Sequence, residues 1–493
     1  MVETVLPLTT IGVIIIIAIA FSVFVKKLRQ NEVIGFILAG FLLGPIGLNF
    51  LHPNDPLIKG FAELGLFVLL FYLGIELSLK EFLAAGSTIF GLALVDMVIT
   101  TGLGIGVMLL LGQSLFFSVV VGIMLFCTST AIIGKFILDK SLLKNNAAKI
   151  ALSILILQDF LGIMLLVFIT AMSAQGGSPF ELAIAALVFA VSAFYAVYRL
   201  SIIVERWMKK NGFGHTEITL YALGIGLVVA TLADLLALST AIGAYFAGFA
   251  LSETDSGHRI KKDVVFLRDF FLVFFFVAFG TTIFFDQAVN AIVLPSLEQF
   301  ALLLGIALTL GFCAIFAHSF SLRVAGGLFG LHPEDTSMAA ILLSPLGEFV
   351  IIIATVTIGA GVLTGEQATL ISPLAFLLII VTLLIFQPLY NLKELHQKLF
   401  SRIPGFKVHE KKSEMKPHTP YTKKQLEDFI INMFIVLCFA WVTVLLYSEL
   451  PRIGVPIIYS RQVTAFILFA FFASYPFFKA LRAIKRLFKH LRA

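Results

Sequence analysis

The segment "FCTSTAIIG", residues 126–134, interrupts a long apolar stretch with three consecutive hydroxyl side chains, those of Thr128, Ser129 and Thr130. A second apolar stretch is interrupted by "LSPLGEFV", residues 343–350, which contains a proline, a glycine and a carboxylate. Such residues break a helix and free its backbone N–H and C=O groups. At membrane depth this is tolerated only where the freed groups line a cavity or bind ions. The two segments therefore predict two discontinuous transmembrane helices.

The composition places these breaks in an integral membrane protein. Of the 493 residues, 59% are hydrophobic and 13% are charged, and the mean hydropathy is +1.03, far from the averages of soluble domains. A membrane-spanning helix needs roughly 20 predominantly apolar residues. Fifteen segments qualify, near 7–25, 32–50, 60–78, 86–111, 114–137, 147–173, 180–204, 216–236, 238–252, 266–286, 298–322, 336–360, 367–391, 428–448 and 463–480. We predict an all-α polytopic membrane protein.

The two interrupted segments are the fifth and the twelfth of these spans. They are seven spans apart, an odd number, so the two helices cross the membrane in opposite directions. Oppositely directed, broken helices at similar depth are typical of inverted repeats in secondary transporters. The expected class is therefore secondary transport, and neither enzymatic activity nor a cofactor is expected.

The distribution of Lys and Arg predicts the orientation. With the N-terminus outside, 32 of the 35 basic residues fall in cytoplasmic loops or tails, and only Lys59, Arg452 and Arg461 lie outside. Positively charged loops stay on the cytoplasmic side, so we predict a cell-membrane protein with a cytoplasmic C-terminus. The net charge of +6 is spread over these loops, which favours contact with anionic lipid over nucleic-acid binding.

A composition shift divides the chain. We predict an exchanger domain over residues 1–395, a basic cytoplasmic linker over 396–427, two additional spans over 428–482 and a basic amphipathic tail over 483–493, which is expected to bind anionic lipids. The three cysteines, Cys127, Cys313 and Cys438, fall in separate spans. Their spacing indicates packing thiols and no disulfide or resident metal site.

The sixth span contains a buried carboxylate in "ILILQDFLGIML", residues 154–165. Asp159 lies close to mid-depth, where insertion of an Asp costs about 2.5–3.5 kcal/mol, so it needs either a partner or a function. The functional interpretation is a site at which a proton and a monovalent metal cation compete. The alternative is a structural carboxyl group paired with a neighbouring span.

Several neighbours qualify as ligands. Gln158 offers an amide carbonyl without adding charge, although it points about 100° away from Asp159 on a helix. Thr128, Ser129 and Thr130 offer hydroxyl and freed carbonyl oxygens, or else bond back within an ordinary helix. One carboxylate beside an amide exchanges one proton for one monovalent cation, which predicts an electroneutral cycle.

Other polar residues in the spans have structural alternatives. Glu348 follows the break that begins at Ser344, where it balances a half-helix N-terminus or takes part in transport. His318 is a packing residue or, if it faces Asp159, a residue that tunes pH dependence. Among the remaining acids, Asp96 is deep enough in its span to be a second candidate.

Extended segments carry a family resemblance. They include "EVIGFILAGFLLGPIGL" (32–48), "TSTAIIGKFIL" (128–138), "ILQDFLGI" (156–163), "ALSTAIGAYFAGFALSE" (237–253) and "LLSPLGEFVIII" (342–353). Over residues 1–395 the chain resembles the Kef-type monovalent cation/proton antiporters, within the second cation:proton antiporter family. The nucleotide-binding regulatory domain typical of those proteins is not recognisable in this sequence.

The resemblance implies a thirteen-helix fold in which the fifth and twelfth helices cross, a homodimer and elevator-like movement. Kef-type members have Gln-Asp at the ion site, as Gln158 and Asp159 do here, which agrees with electroneutral exchange and favours K⁺, with Na⁺ possible. A lysine is common in the eleventh helix of the family, and His318 aligns with it. The alternatives left open are a gated K⁺ efflux channel and a non-transporting membrane sensor on the same fold.

Overall fold

The structure is a computed structural model that describes residues 7–27, 30–77, 86–173, 179–235, 238–286, 290–361, 363–400 and 482. Helices dominate these residues. In the first half they are α1 (Pro7–Lys27), α2 (Glu32–Leu43), α3 (Pro56–Glu76), α4 (Gly86–Leu110), α5 (Leu115–Phe126), α6 (Thr130–Asp139), α7 (Asn146–Ser173), α8 (Pro179–Lys210) and α9 (His215–Leu235).

The second half continues in the same way. Its helices are α10 (Thr240–Ser252), α11 (Gly257–Thr282), α12 (Leu297–Leu328), α13 (Pro333–Leu342), α14 (Phe349–Gly359), α15 (Gly365–Asn391) and α16 (Lys393–Phe400). Between α11 and α12, the short strands β1 (Phe285–Asp286) and β2 (Ala291–Ile292) pair antiparallel.

The helices lie where the membrane spans were predicted. Within the described ranges, nine helices are long and apolar enough to cross a membrane, and four shorter apolar helices accompany them. The predicted spans at 428–448 and 463–480 lie outside the described residues, as do most of the linker and the tail. The predicted start of the linker, residue 396, falls inside α16.

Both predicted helix breaks are confirmed. The fifth span is divided into α5, which ends at Phe126, and α6, which begins at Thr130. The twelfth is divided into α13, which ends at Leu342, and α14, which begins at Phe349. The extended residues between the halves cross each other, and Thr128 and Leu346 form an antiparallel bridge.

The crossing satisfies backbone groups that the breaks set free. The Ser129 N–H donates to the Pro345 carbonyl at 2.8 Å, and the Gly347 N–H donates to the Cys127 carbonyl at 3.1 Å. The Leu346 N–H donates to the Thr382 hydroxyl of α15 at 3.1 Å. Since hydrocarbon offers no hydrogen bonds, these partners are what makes an extended segment stable at this depth.

Side chains complete the ends of the half-helices. The Ser129 hydroxyl accepts a hydrogen bond from the Ile132 N–H and caps α6, as expected for a serine in this position. The Ser344 hydroxyl donates to the Ile341 carbonyl at the end of α13. Gly347 lies so close to the other segment that an added Cβ would be 2.8 Å from the Ser129 Cα. The crossing therefore requires glycine at this position.

Close helix packing positions the rest of the core. α4 packs against α5, α7 and α12, and an added Cβ at Gly104 would be 2.8 Å from the Gly122 Cα of α5. Small residues allow this approach. As a result, the middle of α4 faces the middles of α7 and α12, which are the helices of Gln158 and His318.

Helix α16 packs against α12, α13 and α15. Its His396 is 6% exposed, with Nε2 at 2.9 Å from the Ser319 hydroxyl of α12 and Nδ1 at 2.9 Å from the Ser337 hydroxyl of α13. Burial lowers the pKa of His396 to about 4, so its ring is neutral at pH 7. This histidine attaches the end of the described exchanger region to the two helices beside it.

Candidate ion-binding site

Asp159 lies on α7 beside the crossing and is partly exposed. The Thr130 hydroxyl, at the first position of α6, donates to Asp159 Oδ2 at 3.0 Å. A carboxylate has about four lone-pair sites for hydrogen bonds or ions. Most of that capacity is therefore open at Asp159, which is the property expected of an ion-binding residue.

Two further carboxylates act on Asp159 electrostatically, Glu348 before α14 and Glu76 at the end of α3. Like charges in a poorly hydrated site repel each other, so binding of a cation or a proton stabilises this group of carboxylates. Glu76 is partly compensated by Lys261, whose Nζ is 2.9 Å away. Arg268 also interacts with Glu348 and stacks over the ring of Tyr72 at 4.0 Å.

An open cleft reaches the crossing from one side. It is narrow, and it is lined by Asn31, Val33, Ile34, Ser129, Ile132, Leu346, Gly347, Glu348 and Ile379. Asn31 caps the beginning of α2, in the loop predicted to be cytoplasmic. Ser129 and Glu348 both line this cleft and interact through their side chains, with Ser129 buried and Glu348 partly exposed.

Gln158 lies in a different environment from its neighbour Asp159. It is 1% exposed, its Nε2 donates to Asp96 Oδ2 at 2.9 Å, and its Oε1 accepts a hydrogen bond from the Thr128 hydroxyl. Both ends of the amide are therefore engaged within the protein. The interpretation of Gln158 as a free carbonyl ligand does not match this arrangement, because its oxygen points to Thr128.

His318 does not face Asp159. Its Nδ1 is 2.9 Å from Asp96 Oδ1 and 3.0 Å from Oδ2, and both residues are 0% exposed. The Ser321 hydroxyl, from the same turn of α12, also donates to Asp96. Because α12 packs against α4, the position that aligns with the family lysine turns to Asp96, and the condition for the pH-tuning alternative, that His318 faces Asp159, is not met.

The contacts that Asp96 and Tyr245 make at the site were not predicted from the sequence. Asp96 interrupts the apolar run "GLALVDMVITTG", residues 91–102, so the cost of burying a carboxylate pointed to it as clearly as to Asp159. Tyr245 on α10 is 0% exposed and interacts electrostatically with Asp159. Its hydroxyl has no hydrogen-bond partner among the described residues. No sequence signal distinguishes Tyr245 from the packing aromatics around it.

Two crossing, broken helices with a partly exposed carboxylate beside them define the class of protein: an ion-coupled secondary transporter. The chain belongs to the sodium/hydrogen exchanger family, whose transmembrane domain model matches residues 12–391.

Named relatives are cation/proton antiporters. The chain is 30% identical over 391 residues to the putative cation/proton antiporter YbaL of Escherichia coli (strain K12). This alignment covers 77% of this chain and 68% of the relative. It is 27% identical over 360 residues to the ammonium/H⁺ antiporter subunit AmhT of Alkalihalophilus pseudofirmus, which covers 71% and 86% of the two chains.

Solved structures agree on the fold. The sodium/proton antiporter MjNhaP1 of Methanocaldococcus jannaschii, determined at pH 8, matches with a TM-score of 0.59 at 16% identity. The match covers 80% of this chain and 98% of that one. At this identity the likeness concerns the fold, and it confirms the predicted antiporter architecture.

Proposed function

We propose that the protein exchanges a monovalent cation for a proton, that K⁺ is favoured over Na⁺, and that Asp159 binds the two ions alternately. The observation that carries the proposal is the state of Asp159: a partly exposed carboxylate with one hydroxyl donor, beside two crossing extended segments. A carboxylate in this state has free lone pairs for either ion, and two ions that share one site are necessarily coupled.

The exchange is electroneutral, one cation for one proton. The residue beside Asp159 is a neutral amide, held in place by Asp96 and Thr128. Glu76 forms an ion pair with Lys261, and Arg268 balances Glu348 electrostatically. Asp159 is therefore the acid of this group that lacks a compensating basic partner among the described residues, which supports one exchanged charge per cycle.

Ser129, Thr128, Thr130 and Glu348 take supporting roles. Thr130 donates to Asp159, whereas Ser129 and Glu348 line the cleft beside the crossing. The crossing ties the half-helices together, so the site moves as one unit, consistent with elevator-like alternating access in a homodimer. We place the protein in the cell membrane, with the N-terminus outside and the basic C-terminus against anionic lipid.

The test is pH-gradient dissipation in proteoliposomes containing the full chain. K⁺, Na⁺, Rb⁺ and Li⁺ are added in turn, together with NH₄⁺ because one relative is named for it, with the membrane potential clamped or left free. We expect dissipation with K⁺ that does not depend on the clamp. Asp159→Asn abolishes it, whereas Asp139→Asn, a change at an exposed acid at the end of α6, leaves it intact.

Other outcomes would identify the alternatives. Cation flux that continues without a proton gradient and exceeds carrier rates would identify a gated channel, which single-channel recording would show directly. A chain that dissipates no gradient with any cation, although it is folded in the liposomes, would favour the non-transporting sensor. Retained exchange in Asp159→Asn would refute the assignment of the shared site.

A further inference from the structure

Asp96 lies in none of the segments that line the cleft, yet it is linked to the ion site. It is 0% exposed and accepts hydrogen bonds from His318, Ser321 and Gln158, with Thr100 at the limit of 3.5 Å. A fully buried carboxylate is expensive unless donors surround it. Asp96 is surrounded in this way, and one of its donors is the neighbour of Asp159.

We propose that Asp96 is a positioning residue that fixes the orientation of the Gln158 amide and, through it, makes Thr128 an acceptor-only ligand for the transported cation. The proposal rests on the proposed exchange function and deepens it, because it names how the ligand set beside Asp159 is prepared. Asp96 itself touches no ion.

Asp96 selects one of the two orientations of the Gln158 amide. An amide side chain presents either its NH₂ group or its oxygen to a given neighbour, whereas an ionised carboxylate only accepts hydrogen bonds. Asp96 Oδ2, 2.9 Å from Gln158 Nε2, therefore selects the orientation with the NH₂ group towards α4. The Gln158 oxygen is then directed to Thr128.

The orientation of the Gln158 amide decides where the Thr128 hydroxyl directs its proton. A threonine hydroxyl has one proton and two lone pairs. The Gln158 oxygen has no proton, so Thr128 must donate its proton in the bond between them. Only lone pairs then remain on Thr128 Oγ1, which is the arrangement a hard cation requires. Thr128 lies between α5 and α6, two residues before the Thr130 that contacts Asp159.

Donors from α12 hold the Asp96 carboxylate in place. His318 holds both of its oxygens through Nδ1, and Ser321 donates to Oδ1. His318 Nε2, the other ring nitrogen, is buried without a partner among the described residues, so the ring's proton is directed to Asp96. Asp96 therefore stays an acceptor towards Gln158.

The experiment is a double-mutant cycle on the full chain in proteoliposomes, read as KM for the cation and Vmax separately. Asp96→Asn lets the amide at 158 turn over, and we expect KM to rise about tenfold, the upper range for one hydrogen bond. Thr128→Val raises KM similarly. We expect the KM of the double variant to be no higher than the higher of the two single-variant values, since Asp96 acts through the hydroxyl that Thr128→Val removes.

Controls separate positioning from folding. Thr100→Val, one turn along α4, removes the longest contact of Asp96 and keeps KM within about twofold, as expected for a marginal hydrogen bond. Gln158→Met removes the amide that links Asp96 to Thr128 in the Asp96–Gln158–Thr128 relay. We expect it to raise KM as Asp96→Asn does. Multiplicative effects in the double variant, or a lower Vmax with unchanged KM, would overturn the proposal.

A binding measurement keeps the proposal independent of transport. Cation-dependent thermal stabilisation of the purified full chain, compared with choline at equal ionic strength, reports cation affinity directly. If the wild type binds K⁺ but does not exchange it, the proposed function fails, and weaker binding by Asp96→Asn still supports the relay. Equal binding by wild type and Asp96→Asn, or no cation binding by the wild type, would refute it.

Discussion

The core contains two aspartates at similar depth with opposite surroundings. Asp96 is fully buried and is saturated by donors from α7 and α12. Asp159 is partly exposed, has one hydroxyl donor and is opposed by Glu348 and Glu76. A carboxylate whose hydrogen bonds are complete stabilises the fold, and one whose hydrogen bonds are incomplete is available to a cation. The same residue type thus serves structure on α4 and exchange on α7.

The largest effect on stability is expected from Asp96→Ala. The change leaves buried donors of Gln158, His318 and Ser321 without their acceptor, and each buried donor left unsatisfied costs about 1–3 kcal/mol. The thermal unfolding midpoint in detergent should fall strongly. Asp159→Asn is the matched comparison: it relieves repulsion by Glu348 and should unfold no earlier than the wild type. Equal destabilisation by the two changes would contradict the distinction.

A smaller effect is expected from Gly347→Ala. The added Cβ would lie 2.8 Å from the Ser129 Cα, and overpacking of this kind costs about 1–3 kcal/mol. The crossing must separate, so cation exchange should be lost with most of the stability retained. Gly134→Ala in α6, where an added Cβ meets nothing within 4 Å, is the control. Normal exchange by Gly347→Ala would mean that the close crossing is dispensable.

Thr382→Val should have a moderate effect. It removes the hydroxyl that accepts a hydrogen bond from the Leu346 N–H at 3.1 Å and leaves a buried donor unsatisfied, a cost of about 1–3 kcal/mol. Thr382→Ser keeps the hydroxyl and should behave nearly as the wild type. Unfolding midpoints of the two variants test this, and a valine variant as stable as the serine variant would argue against the contact.

The smallest effect at neutral pH is expected from His396→Gln. The pKa of His396 is lowered to about 4 from 6.5, so the unfolded chain binds its proton more readily than the folded one. Its contribution is complete above about pH 6.5 and is lost as the pH falls towards 4. The wild type should therefore lose more thermal stability than His396→Gln between pH 7 and pH 5. Parallel pH profiles would contradict the buried, neutral ring.

The sequence was informative where one local pattern decides the outcome. The hydroxyl run at 128–130 and the Pro and Gly of 343–350 disfavour a continuous helix, and both breaks occur at those residues. Thr130 and Asp159, both candidate ligands from the sequence, are in contact. The buried carboxylate on α7 followed from the cost of its position alone.

Contacts between distant spans were less predictable. Gln158 and Asp96 are 62 residues apart in sequence, and whether they meet depends on the rotation of α4 about its axis. When a span is apolar on every side, its sequence does not determine that rotation. For the same reason, alignment with a family lysine indicated the depth of His318 but not the helix that it faces. Its partner is Asp96.

The crossing of Thr128 and Leu346 also constrains how the protein is made. The chain is synthesised from its N-terminus, so Cys127 and Ser129 enter the membrane more than two hundred residues before Pro345 and Gly347, their backbone partners. Until the twelfth span is inserted, the Ser129 N–H and the Cys127 carbonyl of the fifth span lack these hydrogen bonds. The ion site therefore completes late in biogenesis, after both halves of the exchanger domain are inserted.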